Sequence, residues 1–347
     1  DPLWSRGLGD VYKRQKLMRE LIADSDIFVE NYSPRVMDGF KLGWEDVHKL
    51  NPRTIMARMP AFGLSGPWRD NVGFAQTMEQ ITGMAWLTGH EEDQPRIQRG
   101  PCDPLAGMHS AFACLVALAD REKTGKGCLL ECTMVEAALN AAAEQIIEYS
   151  AYNNTMEREG NKGPSAAPQN LYACHTSDDA MEHWLALAVE TDTQWIAFKH
   201  VLGNPRWAND IKLNNHIGRR AQHSLLDEKI TAFTTGKDLD ELVETLINAG
   251  VPAARMQLAA RTSEHPQHIA RKFFEQLDHP VIGKHPHVSV PFRFASLEES
   301  GQQWLHSPAP SMGQDNHRIL SDVLGLSQSE IAMLEAEQVI GIRPKGY

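Results

Sequence analysis

Short apolar runs alternate with helical patterns along the first part of the chain, and this alternation constrains the fold more than any other feature. Ile27–Glu30 follows the helical pattern of Leu17–Ala23, and Thr54–Met59 follows a second helical stretch, Arg35–Leu50. Strands and helices that alternate in this way build α/β domains, in which helices cover the faces of one sheet. The sequence therefore predicts an α/β domain in this region.

The best-defined helix of the chain follows Pro104. Its apolar residues recur at spacings of three and four, which makes a single apolar stripe. The stripe consists of Leu105, Met108, Phe112, Leu115 and Ala119. Asp103 is predicted to be the N-cap, Pro104 the first helical residue, and Thr124–Gly127 the end of the helix. A strand over Cys128–Cys132 and an alanine-rich helix over Met134–Tyr152 are predicted next.

The composition changes after this helix, where Arg158–Pro164 is a polar loop that contains glycine. We place a domain boundary near this loop, and the elements after it predict a smaller α+β domain. The predicted strands are Asn170–Cys174, Trp184–Val189 and Arg255–Leu258, and the predicted helices are Thr193–Leu202, Ser224–Thr234 and Leu239–Ala249. A strand over His287–Phe294 and an amphipathic helix over Ser327–Val339 are predicted to pack back on the first domain.

These patterns predict three parts of the chain, and a length of 347 residues agrees with two domains. Residues 1–15 lack the apolar region of a signal peptide and the periodicity of a helix or strand, so we interpret them as a non-native leader. Residues 16–155 and 285–347 are expected to form one large, Rossmann-like α/β domain. Residues 170–284 are expected to form the small α+β domain.

Charge and composition exclude several classes of protein. The chain carries 34 Lys and Arg against 45 Asp and Glu, a net charge of −11, whereas a nucleic-acid-binding protein needs clustered cations. The longest uncharged run, Pro104–Ala119, is shorter than the roughly 20 residues that span a bilayer. Five cysteines without a CxxC pair indicate neither a disulfide framework nor a zinc site. We therefore expect a cytoplasmic protein that binds neither nucleic acid nor a membrane.

Several common catalytic motifs are missing from the sequence. Thr124–Gly127 lacks the flanking residues of a Walker loop, and no GxGxxG follows a strand, so ATP and NAD sites are unsupported. No segment matches the GxSxG elbow of α/β-hydrolases. The pairs His265/His268 and His285/His287 flank prolines and lack a carboxylate or cysteine partner at helical spacing. We interpret them as turn residues, and we predict no metal site.

Asp103 has two interpretations that position alone does not separate. As an N-cap, its carboxylate accepts backbone N–H bonds and stabilises the helix by about 1 kcal/mol. The positive end of the helix dipole also keeps a carboxylate ionised and fixes its orientation, which suits a nucleophile. Both interpretations stay open on the spacing alone.

The residues around Asp103 resemble a known family. Arg99–His109, followed by Arg121–Gly127, resembles the hallmark of the class III CoA-transferases, the CaiB/BaiF family that includes formyl-CoA transferase. Other blocks are similar to the family and occur in the family's order. They are Asp26–Pro34, Asn51–Arg53, Phe62–Pro67 and Ala309–Gln314. The resemblance extends from about Lys16 to the C-terminus.

The resemblance implies which residues form the site. Asp103 matches the nucleophilic aspartate of the family, and Asn31 and Tyr32 match positions that contact CoA. The alternative for Asn31–Pro34 is an ordinary strand-to-helix turn, in which Asn, Ser and Pro are common.

A loop and a quaternary structure are also implied by the resemblance. Gly160, Asn161 and Gly163 fall where the family has a glycine-containing loop over the active site, although without the family they would be a simple linker. The family forms interlocked homodimers, and the resemblance implies the same assembly here.

The implied activity is the transfer of CoA from an acyl-CoA donor to a free carboxylic acid, through an aspartyl anhydride and an enzyme-CoA thioester. CoA enters as a substrate, and no permanently bound cofactor is expected. Racemases of the same family add a histidine base in a Gly-His-Asp context, where this chain has Phe74, so the racemase is the disfavoured alternative. The family opens with a βα unit that residues 1–15 replace. A catalytically silent CoA-binding or scaffold subunit is therefore the other alternative.

Overall fold

The computed structural model describes residues 8–175, 183–296 and 303–343. The chain divides into two units, one made of Asp1–Arg158 with Ala309–Tyr347 and the other of Glu159–Pro308. The large unit therefore combines N-terminal and C-terminal parts of the chain. Residues 1–7 of the predicted leader lie outside the described residues.

A parallel sheet lies in the first unit. Its strands are β1 (Ile27–Glu30), β2 (Ile55–Arg58) and β3 (Leu129–Glu131), in the order β1-β2-β3. Val29 pairs with Ala57, which in turn pairs with Leu130. All three predicted strands of this region are present, each within one residue at either end. Strand β2 is buried on both faces, as expected for the middle strand of a covered parallel sheet.

Seven helices precede the second unit among the described residues. They are α1 (Leu8–Asp24), α2 (Pro34–Phe40), α3 (Trp44–Leu50), α4 (Ala75–Ile81), α5 (Cys102–Thr124), α6 (Met134–Ala141) and α7 (Ala143–Tyr152). Two single helices predicted from the sequence are in fact pairs. Lys41 adopts the left-handed conformation, with φ 51°, and ends α2. The turn places Leu42 in the core with Met37 and Val47, which explains why the helix breaks there.

The N-terminal segment is helical from Leu8, which corrects the prediction that it has no regular structure. Arg14 Nη2 donates to Gln338 O at 2.8 Å, and Lys13 forms an ion pair with Glu337. These contacts are polar and connect residues far apart in sequence. Polar contacts of this kind produce no apolar periodicity, so the sequence pattern does not indicate this part of the helix.

Helix α5 differs from its prediction in its start and in its buried face. It begins at Cys102, and Pro101 is the N-cap. The buried face carries mostly small side chains, namely Cys102, Ala106, Ser110, Cys114, Ala117 and Arg121. The apolar stripe points outward, since Met108, Phe112 and Leu115 are 63%, 70% and 66% exposed. Such a stripe normally faces a core, so the exposed stripe is the unexpected feature of this unit.

Helix α5 is also long and apolar enough to cross a membrane by length and composition, which the sequence analysis did not anticipate. That test is also met by core helices of soluble proteins. The buried side chain of Arg121 donates to the carbonyl oxygens of Asp26 and Arg53. Helix α5 is thus packed on protein along one side.

The second unit has its own antiparallel sheet. The strands β4 (Gln169–Ala173), β5 (Trp184–Ala188) and β6 (Ala253–Arg255) lie in the order β4-β5-β6. The helices of this unit are α8 (Asp192–Val201), α9 (His216–Ala221), α10 (His223–Thr234), α11 (Leu239–Asn248) and α12 (Pro266–Ala270). Trp195, Phe198, Leu226, Ile230 and Leu246 are central to its core. The predicted α+β composition is found.

A hairpin of β7 (Phe274–His279) and β8 (Gly283–Val288) follows in the same unit. The sequence predicts a strand later, over His287–Phe294, and predicts no strand at the position of β7. Both strands are short of apolar residues, and β8 contains Pro286, so neither shows the alternation that predicts a strand. The chain then returns to the first unit with α13 (Asn316–Arg318) and α14 (Gln328–Ala336).

Candidate active site

A cavity of about 440 Å³ in the first unit brings together three residues implied by the resemblance, Asp103, Asn31 and Tyr32. Its other polar lining residues are Ser33 and Asn71. The remaining wall is apolar or glycine, from Val36, Met59, Ala61, Val72, Gly73, Phe74, Ala75 and Met134. A carboxylate therefore lines the same cavity as four uncharged polar residues and a larger number of apolar or glycine residues.

Asp103 lies in the first turn of α5 and is exposed. Pro101, not Asp103, occupies the N-cap, so the N-cap interpretation of Asp103 is wrong. None of the described residues donates a hydrogen bond to its carboxylate. The N-terminal end of α5, with the positive end of the helix dipole, lies beside this side chain. The Asp103 carboxylate is therefore exposed at the cavity and has no hydrogen-bond partner among the described residues.

The turn that carries Asn31 and Tyr32 is held by a buried ion pair. Glu30, the last residue of β1, lies 2.5 Å from Arg58 Nε, and both side chains are buried. The second carboxylate oxygen of Glu30 accepts the backbone N–H of Tyr32 at 2.9 Å. Arg58 also donates to the carbonyl of Pro34 at 3.4 Å. These contacts hold the strand-to-helix turn in place, and its residues Asn31 and Tyr32 line the cavity.

Another part of the cavity lining requires a glycine. A Cβ atom at Gly73 would lie 2.6 Å from the Cβ of Ala61, so no larger residue fits without a shift. The next residue, Phe74, is 71% exposed and lines the cavity. Its ring has no group that accepts a proton, so this position supplies no base.

Cys102 lies directly before Asp103 but does not compete with it as a nucleophile. Burial raises the pKa of the Cys102 thiol to about 11, and the negative charges of Glu79 and Asp103 add to the effect. A cysteine reacts as its thiolate, and this thiol stays protonated near pH 7. The Cys102 thiol is therefore a poor nucleophile at this pH.

Gly160, Asn161 and Gly163 belong to the second unit, and the structure brings them together in one loop there. Arg220 Nη1 donates to the carbonyl of Gly163 at 2.5 Å. The side chain of Gln169 donates to the carbonyl of Asn161 at 3.2 Å. This loop is therefore tied to its own unit at two points.

Two kinds of residue at the cavity escaped the sequence analysis. Met59 and Met134 line it, but isolated methionines after strands carry no recognisable signal. Glu30 and Arg58 form the buried ion pair that holds the turn of Asn31 and Tyr32. For these two a signal existed, because each is a charged residue at the end of an otherwise apolar strand.

Comparisons with known proteins agree on one family. The family description "CoA-transferase family III" matches residues 11–316, slightly before the predicted start of the resemblance at Lys16. The chain is 33% identical over 327 residues to the succinyl-CoA–D-citramalate CoA-transferase of Chloroflexus aurantiacus. The aligned region covers 94% of this chain and 79% of that protein. It is 25% identical over 341 residues to the formyl-CoA:oxalate CoA-transferase of Bradyrhizobium diazoefficiens, covering 92% and 78%.

A solved structure supports the same assignment. A CaiB/BaiF family protein from Brucella suis is similar with a TM-score of 0.78 and 26% identity, over 89% of this chain and 78% of that one. The resemblance predicted from the Asp103 block is thus confirmed by sequence and by fold. This chain belongs to CoA-transferase family III and is a transferase enzyme.

Proposed function

We propose that this enzyme moves CoA from an acyl-CoA donor to a free carboxylic acid, with Asp103 as the nucleophile. One observation carries the proposal. The carboxylate of Asp103 has no hydrogen-bond donor among the described residues and opens into the cavity that Asn31 and Tyr32 line. A carboxylate is the nucleophile that this reaction needs, because its acyl adduct is an anhydride that preserves the energy of the thioester.

The reaction proceeds in four balanced steps. An oxygen of Asp103 attacks the thioester carbonyl, the C–S bond breaks, and CoA leaves as a thiolate. The thiolate attacks the aspartyl carbonyl of the anhydride and releases the donor acid, which leaves an aspartyl-CoA thioester. The acceptor carboxylate attacks this thioester and again frees the thiolate. The thiolate then attacks the acceptor carbonyl, and the products are the new acyl-CoA and Asp103.

The substrates are proposed from the relatives and from the cavity. Asn31 and Tyr32 supply polar groups to its lining, which suits the CoA end of the substrate. Two relatives are named for succinyl-CoA as donor, with D-citramalate or L-malate as acceptor. We therefore choose succinyl-CoA as the first donor to test, against a panel of carboxylic acids.

Water must be kept from both covalent intermediates, because either one hydrolyses. We assign this role to the loop of Gly160, Asn161 and Gly163, which matches the glycine-containing loop of the family. The exposed stripe of α5 supports the homodimer that the resemblance implies. Met108, Phe112 and Leu115 form an apolar surface that a second copy of the chain would cover.

An oxygen-transfer experiment tests the nucleophile directly. When the acceptor acid carries ¹⁸O in its carboxylate, its attack on the aspartyl thioester and the later cleavage leave one labelled oxygen on Asp103. After a single turnover, the peptide that contains Asp103 is expected to be about 2 Da heavier, and repeated turnover should raise the difference toward about 4 Da, because either oxygen of Asp103 attacks in each cycle. A racemase or a silent subunit predicts no label. Unlabelled peptide from an enzyme that transfers CoA would overturn the anhydride mechanism.

A further inference from the structure

Glu79 is a buried carboxylate that the reaction steps do not use. It lies on α4, with none of its surface exposed. The first residue of α4, Ala75, lines the cavity. The adjacent Met78 belongs to the same buried cluster as Cys102 and Met134. Glu79 is therefore a buried residue on the helix whose first residue lines the candidate active site.

Both oxygens of Glu79 hold the loop that leads into α5. Oε2 accepts the backbone N–H of Arg99 at 3.0 Å, and Oε1 accepts the backbone N–H of Gly100 at 2.5 Å. These two residues have φ angles of 67° and 117°. A positive φ is costly for a residue with a side chain, such as Arg99, and persists only where contacts maintain it. The two hydrogen bonds are such contacts.

The loop ends three residues before the proposed nucleophile. Pro101 caps α5, Cys102 is buried in the core, and Asp103 follows with its side chain in the cavity. The direction of the first turn of α5 depends on the backbone of Arg99 and Gly100. Taking a carboxylate out of water is unfavourable, and an apolar side chain would fill the same space without that cost. Stability alone therefore gives little reason for an ionisable group at this position.

We propose that Glu79 is a positioning residue, which fixes the loop at Arg99 and Gly100 and thereby sets the direction of the Asp103 carboxylate. The inference rests on the proposed role of Asp103. Because Glu79 is on α4, it also ties this loop to the helix whose first residue, Ala75, lines the cavity.

Two variants perturb the loop from different sides. Glu79→Gln keeps the volume and one acceptor, but its NH₂ group faces one of the two backbone N–H donors. Gly100→Ala leaves Glu79 intact and strains the same loop, since a Cβ at Gly100 meets no atom within 4 Å but a φ of 117° disfavours alanine. A displacement near 1 Å at a reacting group costs about 100-fold in rate. We expect kcat to fall at least 10-fold in each variant, with the KM for acyl-CoA within 2-fold.

Arg121→Met is the matched control, at the other end of the same helix. Arg121 also donates to two backbone carbonyls from a buried position. It lies 18 residues beyond Asp103, about 27 Å along the helix at 1.5 Å per residue. We expect a similar fall in melting temperature and an unchanged kcat. If kcat follows melting temperature equally in all three variants, Glu79 has only a structural role and the inference is wrong.

The failure of the inference is distinguishable from the failure of the proposed function. Asp103→Ala, assayed alongside, reports on the nucleophile alone. Turnover that survives in Asp103→Ala would reject the proposed function. An inactive Asp103→Ala beside fully active Glu79→Gln and Gly100→Ala would reject only the positioning role.

Discussion

The buried ion pair of Glu30 and Arg58 makes the bracing of the Asn31–Tyr32 turn measurable. Arg58→Met removes the cation and leaves the Glu30 carboxylate buried without its counter-charge. Breaking a buried pair from one side costs about 3–5 kcal/mol in the free energy of unfolding. Without Arg58, hydration of the Glu30 carboxylate becomes more favourable than its burial. A shift of the carboxylate toward water weakens the hydrogen bond that it accepts from the backbone N–H of Tyr32. We therefore expect the KM for acyl-CoA to rise in this variant.

The double variant Glu30→Gln/Arg58→Met separates charge from geometry. Its glutamine is neutral, and its carbonyl oxygen still accepts the N–H of Tyr32. The double variant should therefore be more stable than Arg58→Met alone by about 1 kcal/mol or more, since no unpaired charge stays buried. Urea unfolding at pH 7 gives the stabilities of the parent, both single variants and the double variant, and steady-state kinetics gives the KM values. Losses that simply add across the cycle would refute the coupling.

Three further predictions follow from contacts in the two units. Asp103→Ala should abolish CoA transfer while changing the free energy of unfolding by less than about 1 kcal/mol, because Asp103 does not cap α5. An activity assay measures the transfer, and urea unfolding measures the stability. Phe112→Glu should shift the protein toward the monomer in light scattering, whereas Ile196→Glu, a control at an exposed apolar residue of α8 in the second unit, should not. Tyr172→Phe removes the phenol that donates to Asp227 at 2.7 Å, and should cost about 1.5–3 kcal/mol at pH 7 in urea unfolding. A cost that stays constant down to pH 3 would contradict the reasoning below.

The pH dependence of the last variant follows from the network around Asp227. Burial opposes ionisation of Asp227, but hydrogen bonds from His223, Tyr172 and Asn170 outweigh it and hold its pKa below the usual range. The backbone N–H of Gln169 donates to His223 Nε2, so Nε2 is an acceptor and Nδ1 is the ring atom that donates to Asp227. A lowered pKa stabilises the fold above the unfolded value near 4, and this stability is lost as the pH falls through the lowered pKa. The difference between Tyr172→Phe and the parent should therefore shrink in acid.

The strands near the site were predictable because each is a short apolar run bounded by polar residues. Ile27–Glu30 was predicted with the bounds that the structure has, and Asp103, Asn31 and Tyr32 do share one cavity. The paired helices were not predictable, because their breaks depend on tertiary contacts. Gly39 and Gly43 flank the break after α2, but its consequence, the burial of Leu42 in the core, depends on the tertiary packing. The braces Glu30 and Glu79 act on residues that are distant or lie in turns, and a periodic pattern does not record such contacts.

Helix α5 shows what an apolar period does and does not determine. Its stripe of large residues predicted one face to be covered, and a sequence alone does not say by what. In the structure the small side chains of Cys102 and Ala106 lie inward, and the methionines Met59, Met78 and Met134 fill the space beside them. Small residues let other elements approach the helix closely, which is what a nucleophile on its first turn needs if it is to sit at the edge of a packed cavity. The large residues Met108 and Phe112 are then left for a surface outside the unit. If a second copy of the chain covers this surface, as proposed, α5 carries Asp103 beside its small face and the dimer contact on its large face. A change at Phe112 is then expected to affect Asp103 only through α5 itself.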